Sequence, residues 1–215
     1  LGGGLARINV KLVAGQESDL NAPGPQIDTL EPFFRKLDGL TGKDTLVLAG
    51  SLPAGLPENT YEKVLARVSG ARCVVDTTGD ALRAVLKFRP FLVKPNHHEL
   101  GELFGRELRT EEEIADCAEK LRQEGAQNVL VSMAGDGALM AGQDGRIYRC
   151  AAPKGTVRGS TGAGDSLVAG FLAGYEEDGS LEYAFRMGVA AGSASAFSEE
   201  LATREEVHAL LETIK

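Results

Sequence analysis

The sequence predicts an α/β protein whose mainly parallel β-sheet is covered by helices on both faces. From about residue 45 onward, short apolar runs alternate regularly with amphipathic stretches, and polar or glycine-rich residues follow each apolar run. Strands and helices that alternate at this length form βαβ units and a parallel sheet. The chain has 215 residues, which is enough for one such domain with a sizeable core.

Composition narrows the classes of partner. The formal net charge is −8 and the isoelectric point about 5.0, which argues against nucleic-acid and anionic-membrane surfaces. There is no long apolar run that would span a membrane and no signal-peptide pattern. Cys73, Cys117 and Cys150 lack metal-ligand spacing and are expected as buried thiols in a reducing compartment. We therefore expect a cytoplasmic protein.

The first elements in order are a strand, a helix and a second strand. Alternation over Arg7–Val13 predicts a half-exposed strand, followed by a turn at Gly15–Ser18 and an irregular stretch over Leu20–Pro25. A helix is predicted from about Ile27 to Leu37. The continuous apolar run Thr45–Ala49 is typical of a strand buried on both faces. The first 24 residues differ most from the rest and are expected to project from the sheet.

The remaining elements alternate between helix and strand. Further strands are predicted at Cys73–Asp76, Phe91–Val93 and Val129–Ser132, and a hairpin joins Ala138–Met140 to Arg146–Tyr148 around Asp144-Gly145. Helices are predicted from about Glu58, over Ala81–Lys87, after the capping box Thr110–Glu113, from Ala163, over Ala184–Phe197 and after the capping box Thr203–Glu206.

Ligands of such sheets bind beyond the carboxyl ends of the strands. The residues that follow the predicted strands at this edge are Gly50-Ser51, Asp76, Lys94-Pro95-Asn96 and Ser132–Gly137. We therefore expect them to lie together and to form the functional site.

The segment Gly159–Ser166 carries the strongest chemical signal, because three small residues precede a carboxylate at a helix start. The backbone N–H groups of Gly162, Ala163 and Gly164 can converge on one anion there. Asp165 would repel a bound phosphate, but it can take the proton of a hydroxyl that attacks phosphorus while the amides hold the transferred charge. The segment thus predicts a phosphotransferase. The alternative is a structural cap with an acidic first turn.

Two other phosphate-binding motifs do not fit this segment. No Gly-Lys-Ser/Thr follows it, so it is not a Walker A loop, and Leu167 occupies the third glycine position of a dinucleotide fingerprint. No Gly-x-Gly-x-x-Gly follows the first strand either. A Rossmann oxidoreductase is therefore disfavoured.

Each strand-exit candidate has a functional and a structural interpretation. Lys94 suits phosphate oxygens, or it extends to solvent as a surface lysine. Asn96 and Glu99 orient Mg²⁺ through water, or they cap a helix. The Ser132–Gly137 turn brings backbone amides to a nucleotide, or it only turns a hairpin.

Arg7 and Ser51 are weaker candidates. Arg7 clamps a substrate phosphate or is a solvated charge, and Ser51 hydrogen-bonds a sugar or phosphate oxygen or ends its strand. His97 and His98 are expected to be surface groups or to support the site rather than to catalyse, and without a third ligand they do not predict a metal centre.

Taken together, the segments resemble the ribokinase-like sugar kinases of the phosphofructokinase B type, and most of all the branch that phosphorylates fructose 1-phosphate. The segments that carry this resemblance are Arg7–Lys11, Leu20–Pro25, Ala49–Pro53, Val75–Gly79, Lys94–Leu100, Val131–Ala138, Gly162–Ser166 and Ala190–Phe197. The Gly-Ala-Gly-Asp element combined with Lys-Pro-Asn-x-x-Glu is specific for the family. The resemblance implies a three-layer αβα sandwich, with lid strands in residues 1–24 and a nucleotide-binding kinase core in residues 25–215.

The resemblance also implies a reaction, in which the γ-phosphate of ATP passes to the 6-hydroxyl of fructose 1-phosphate. Tagatose 6-phosphate and fructose 6-phosphate are the alternative acceptors. Asp165 would be the base and the amides of Gly162, Ala163 and Gly164 the anion hole. The implied ATP contacts are Lys94, Asn96, Ser132, Gly135, Gly137, Gly164, Gly192 and Ser193; Glu99 would serve Mg²⁺ through water, and Arg7, Ser51 and Asp165 the sugar phosphate.

Two departures from the family pattern qualify these expectations. Ala134 stands where many members have glycine, and the segment that precedes the first strand in the family is not found in this sequence. The expectation is therefore a partial chain that is a poor catalyst by itself, with a non-catalytic nucleotide-binding fragment as the alternative from a different class. A homodimer through the lid strands is implied by the resemblance alone.

Overall fold

The computed structural model describes residues 8–14, 16–21, 24–53, 55–68 and 70–214. The strands are β1 (Asn9–Ala14), β2 (Gln16–Asn21), β3 (Thr45–Ala49), β4 (Arg72–Asp76), β5 (Leu92–Val93), β6 (Asn128–Ser132), β7 (Ala138–Ala141) and β8 (Ile147–Cys150). The helices are α1 (Glu31–Leu37), α2 (Thr60–Arg67), α3 (Gly79–Val85), α4 (His97–Leu103), α5 (Glu111–Gln123), α6 (Ala163–Asp178), α7 (Leu181–Phe197) and α8 (Arg204–Leu211).

The main sheet has six strands in the order β3-β4-β5-β6-β7-β8. Strands β3 to β6 are parallel, and β7 and β8 add an antiparallel hairpin at one edge. Successive residues of β4 point to opposite faces, so Val75 joins the core beneath α2, α3 and α5, whereas Val74 joins the core beneath α6 and α7. The predicted mainly parallel sheet with helices on both faces is confirmed.

Strand β3 differs from its prediction. It lies at the edge of the described sheet, where β4 pairs with it, and Leu48 is buried while Val47 is 43% exposed. The expectation of burial on both faces is wrong for this strand, since the described residues cover Val47 only in part.

The amino-terminal elements also differ in their boundaries. β1 and β2 pair antiparallel in a sheet of their own, so the predicted turn and irregular stretch are wrong for Gln16–Ser18 and for Leu20-Asn21. The alternation signal is missing there because Leu20 is the one apolar residue of β2. Helix α1 begins at Glu31 rather than near Ile27, since Pro32 lacks an N–H and suits only the first turn. The domain division at residue 24 stays a prediction.

Small residues let α6 and α7 approach each other closely. A Cβ atom on Gly170 would lie 2.5 Å from the Ala191 Cβ and 2.7 Å from the Met187 carbonyl oxygen, and one on Gly188 would lie 2.8 Å from the Leu167 carbonyl oxygen. This packing fixes α6, and with it the turn that carries Asp165.

The structure also tests the predicted helix caps and the state of the cysteines. Both predicted capping boxes are confirmed, Thr110 with Glu113 and Thr203 with Glu206. All three cysteines are unpaired, two of them buried and Cys73 half-buried. No helix in the described ranges has the length and apolar character needed to cross a membrane.

Candidate active site

Two cavities open at the carboxyl ends of the parallel strands and share the first turn of α6. The glycine-rich cavity, of about 690 Å³, is lined by residues that include Asn96, Ser132, Gly135, Gly137, Gly164, Gly192 and Ser193. The carboxylate cavity, of about 710 Å³, is lined by residues that include Ser51, Glu58, Glu62, Asp76, Asp80, Glu99 and Asp165. Most of the residues predicted to follow the strands line one of these two cavities, whereas Lys94 and Pro95 line neither.

The start of α6 separates the cavities. Gly162 precedes the helix at φ +78°, a left-handed conformation that favours glycine, and its carbonyl accepts a hydrogen bond from the Ser166 N–H at 2.8 Å. Gly164 lines the glycine-rich cavity and its neighbour Asp165 lines the carboxylate cavity. A group held over the Gly162–Gly164 amides therefore faces one cavity while the carboxylate reaches into the other.

Lys94 lies directly beneath this turn. Its side chain is 9% exposed, its Nζ atom is 3.3 Å from the Asp76 Oδ1, and a Cβ on Gly164 would lie 3.5 Å from the same Nζ. The interpretation of Lys94 as a surface lysine is therefore wrong. Because Gly164 has no side chain, the ammonium group lies next to the predicted anion-binding amides.

Asp76 was expected at this edge of the sheet without a role of its own, and the structure pairs it with Lys94. Burial raises the pKa of its carboxyl group, Lys94 opposes that shift, and the charges of Glu99 and Asp165 add to it. These four groups thus form one electrostatically coupled cluster. The available signal was an Asp and a Lys at the ends of successive apolar runs, which become neighbours only once β4 and β5 pair.

Asn96 and Glu99 form a complete capping box at the start of α4. The Asn96 Oδ1 accepts from the Glu99 N–H at 2.9 Å, and the Glu99 Oε2 accepts from the Asn96 N–H at 2.8 Å. The helix-cap interpretation is therefore realised, while Glu99 also lines the carboxylate cavity. Within the described ranges, no group of three or more His, Cys, Asp or Glu side chains is arranged to hold a metal ion.

The turn after β6 presents its backbone to the glycine-rich cavity. The Met133 N–H donates to the Gly137 carbonyl at 2.8 Å, and Gly137, at φ +98°, leaves no room for a Cβ, which would lie 2.1 Å from the Cys150 carbonyl oxygen. Ala134 adopts φ +50°, a left-handed conformation that is unusual for alanine. The turn is therefore tightly constrained, although one of its left-handed positions is not glycine.

Helix α7 and the two histidines complete the glycine-rich cavity. Gly192 lies against the start of α6, since its Cβ would be 3.0 Å from the Ala163 carbonyl oxygen, and Ser193 follows it in the lining. The His97 and His98 rings lie 3.8 Å apart, and both residues line this cavity.

The segment 151–158, which contains no strand, lines the glycine-rich cavity without having been predicted there. Pro153, Lys154, Gly155 and Val157 line the glycine-rich cavity together with Phe197. A Cβ on Gly155 would lie 2.3 Å from the Phe197 ring, so the ring packs on bare backbone. The segment has no periodicity that would have marked it. Arg7 lies outside the described residues.

The start of α6, whose backbone amides are predicted to bind an anion, stands between the two cavities, and the buried Lys94 lies below it. This arrangement on a three-layer αβα sandwich is the one expected of a phosphotransferase of the ribokinase-like class. The profile of the pfkB family carbohydrate kinases matches residues 4–207. The chain belongs to this family and is a kinase.

Individual relatives agree with this assignment. The chain is 48% identical to a 1-phosphofructokinase of Bacillus subtilis over 99% of its own length and 71% of that protein's. It is 33% identical to a D-tagatose-1-phosphate kinase of Bacillus licheniformis over 92% of this chain and 66% of that one.

Solved structures of Escherichia coli phosphofructokinase-2 share the fold. The structure in complex with fructose-6-phosphate has a TM-score of 0.84 at 30% identity, covering 93% of this chain and 66% of that one. A structure described as a tetrameric inhibited form has a TM-score of 0.85 at 28% identity, covering 95% and 69%. These similarities support a sugar-phosphate kinase.

Proposed function

We propose that this protein transfers the γ-phosphate of ATP to the 6-hydroxyl of fructose 1-phosphate and so forms fructose 1,6-bisphosphate. One observation carries the proposal: Gly164 and Asp165 are adjacent in sequence but line different cavities. A phosphoryl group in the glycine-rich cavity and a hydroxyl in the carboxylate cavity would therefore meet at the first turn of α6. The identity to 1-phosphofructokinase favours fructose 1-phosphate as the acceptor.

In this proposal the chain's own residues position the reactants and move one proton. Asp165 accepts the proton of the acceptor hydroxyl as its oxygen attacks the γ-phosphorus, and the bond from that phosphorus to the β-phosphate oxygen breaks to release ADP. The Gly162, Ala163 and Gly164 amides and the Lys94 ammonium stabilise the charge on the transferred group. Ser132, Gly135, Gly137, Gly192 and Ser193 would hold the nucleotide, with Asn96 at the phosphate end.

Magnesium would complete the charge balance. Mg²⁺ is usually held by one or two carboxylates together with substrate phosphates and water, and Glu99 in the carboxylate cavity fits that donor set. The ion would neutralise phosphate charge when it is bound with ATP. Glu99 has one carboxylate oxygen in its capping box, so water-mediated rather than direct contact is proposed.

Tagatose 1-phosphate is a second candidate acceptor, because one relative is a D-tagatose-1-phosphate kinase. The D-tagatose-1-phosphate kinase indicates that closely similar chains serve another ketohexose 1-phosphate. Tagatose differs from fructose in configuration at C4, so contacts to the 4-hydroxyl would distinguish the two. Ser51 lines the acceptor side and is the candidate here for a sugar or phosphate contact; Arg7 is proposed for the same role.

We also propose that β1 and β2 contact a second copy of the chain. A two-stranded sheet is marginally stable alone, and Ile8, just before β1, and Leu20, within β2, are 57% and 59% exposed. The proposed division into lid residues 1–24 and core residues 25–215 corresponds to this arrangement.

The proposal is tested first by calorimetric titration with MgATP, with NAD as the control ligand. A coupled assay then compares fructose 1-phosphate, fructose 6-phosphate, tagatose 1-phosphate and tagatose 6-phosphate as acceptors. We expect ATP but not NAD to bind, Lys94→Ala to weaken that binding, and fructose 1-phosphate to give the highest kcat/KM. A higher kcat/KM for tagatose 1-phosphate would make that sugar phosphate, and not fructose 1-phosphate, the acceptor. ATP binding without turnover of any sugar phosphate would favour the nucleotide-binding fragment.

A further inference from the structure

Tyr61 connects two walls of the carboxylate cavity without lining it. Gly50 and Ser51, at the exit of β3, form part of one wall, and Asn59 and Glu62, on either side of Tyr61 in the chain, form part of another. The Tyr61 Oη donates to the Gly50 carbonyl at 2.7 Å, with the Ala49 carbonyl oxygen 3.3 Å away. The side chain is 9% exposed, so this hydrogen bond is shielded from competing water.

The Gly50–Ser51 peptide begins with a glycine in the left-handed region. Gly50 adopts φ +84°, and no atom lies within 4 Å of where its Cβ would be, so hydrogen bonds rather than contacts at that position hold its conformation. A glycine visits alternative backbone conformations at little steric cost. On one side the Gly50 N–H is fixed to the Asp76 carbonyl at 3.0 Å; on the other side, the Tyr61 hydroxyl holds the carbonyl.

The orientation of this peptide determines what Ser51 presents. A trans peptide directs its carbonyl and the following N–H to opposite sides. The bond that holds the Gly50 carbonyl on Tyr61 therefore directs the Ser51 N–H away from Tyr61 and sets the direction in which the Ser51 residue leaves the strand.

We propose that Tyr61 is a positioning residue for the phosphoryl acceptor: its hydroxyl locks the Gly50–Ser51 peptide in the orientation that recognises an oxygen of the sugar phosphate. The acceptor's identity rests on the proposed function, whereas the locking does not. Burial, and secondarily the charge of Asp76, raise the pKa of Tyr61 above its ordinary value, so the hydroxyl remains a donor throughout the neutral range.

The test compares Tyr61→Phe with Tyr148→Phe. Both changes remove one hydroxyl that donates a hydrogen bond, but the Tyr148 hydroxyl bonds Asp144 in the β7–β8 hairpin, away from the cavity. For Tyr61→Phe we expect the KM of the acceptor to rise about three- to tenfold, the range that one lost hydrogen bond allows, while kcat and the KM of ATP stay within about twofold. Tyr148→Phe should change none of these constants.

Amide hydrogen exchange supplies a readout that needs no substrate. Tyr61→Phe should speed exchange at Gly50–Leu52 and leave Met133–Gly137 unchanged, whereas Tyr148→Phe should alter neither segment. Unchanged exchange at Gly50–Leu52 would overturn the locking, and equal rises in the KM of ATP and of the acceptor would overturn its specificity for the acceptor. If the wild-type protein phosphorylates no sugar phosphate, the proposed function fails. The exchange rates still decide whether the Tyr61 hydroxyl locks the Gly50–Ser51 peptide.

Discussion

The Lys94 Nζ lies 3.3 Å from the Asp76 Oδ1, and both side chains are largely removed from solvent. The two residues end neighbouring parallel strands, so the pairing of β4 with β5 brings them together. The lysine is consequently positioned by a carboxylate of the protein before any phosphate arrives. This arrangement avoids an unpaired buried ammonium group in the free protein.

The Lys94–Asp76 pair makes stability depend on pH when the lysine is removed. In Lys94→Met the pKa of Asp76, already raised by burial, rises further because its opposing cation is gone. At pH values between the ordinary pKa of an Asp and this raised pKa, Asp76 is ionised in the unfolded chain but protonated in the folded chain. The free energy of unfolding therefore falls as the pH rises through this window. We expect the substitution to cost about 3 kcal/mol at pH 8 and about 1 kcal/mol less at pH 5.

Urea unfolding at the two pH values measures this difference. Lys87→Met is the matched control, since Lys87 pairs with Glu62 but its side chain is 63% exposed. Its cost should stay below about 1 kcal/mol at both pH values. An equal cost of Lys94→Met at pH 5 and pH 8 would show that Asp76 ionisation is not what the lysine supports.

Sequence patterns predicted most of the sheet because its central strands are continuous apolar runs. Cys73–Asp76 falls within one residue of β4, and the Thr110 and Thr203 caps mark their helices directly. Polar β2 had no such signal, and Val47 is exposed because burial of an apolar strand depends on what packs on it. Local patterns cannot report this, since it is a property of tertiary neighbours.

The site was predictable where its residues are contiguous. Gly162–Asp165 is a contiguous motif, so the sequence alone predicted that this turn and its carboxylate lie at the candidate site. Asp76 and Tyr61 contact partners that are distant in sequence, Lys94 and Gly50, and no spacing rule connects them. The 151–158 segment lacks periodicity, so its place in the glycine-rich cavity required the folded chain.

The close approach of α6 and α7 predicts a sensitive glycine. A Cβ on Gly170 would lie 2.5 Å from the Ala191 Cβ, so Gly170→Ala should force the helices apart. We expect the free energy of unfolding to fall by about 1–3 kcal/mol despite the better helix propensity of alanine. The control is Gly39→Ala, where the nearest atom to the new Cβ is 3.6 Å away. Chemical denaturation compares the two, and a neutral Gly170→Ala would contradict the packing argument.

The left-handed conformation of Ala134 predicts a stabilising substitution. At φ +50° an alanine is strained by about 1 kcal/mol. Glycine removes this strain but loses more conformational entropy on folding, so only part of the strain energy is regained. Ala134→Gly should therefore raise the free energy of unfolding by about 0.5 kcal/mol. Ala209→Gly, at an exposed position within α8, should instead lower it by about 1 kcal/mol. Two changes of the same sign would contradict the assigned strain.

Asp165 provides the sharpest test of the proposed chemistry. Asp165→Asn keeps the shape of the side chain and the amides of Gly162–Gly164 but removes the proton acceptor, so kcat should fall by about 10²- to 10⁴-fold. The calorimetric affinity for MgATP should be retained, because the asparagine carries no charge that repels a phosphate and the nucleotide cavity is unchanged. Asp178→Asn, at the exposed far end of the same helix, is the control and should leave kcat within about twofold. An unchanged kcat in Asp165→Asn would rule out Asp165 as the base, whereas parallel loss of kcat and of ATP affinity would assign it to nucleotide binding instead.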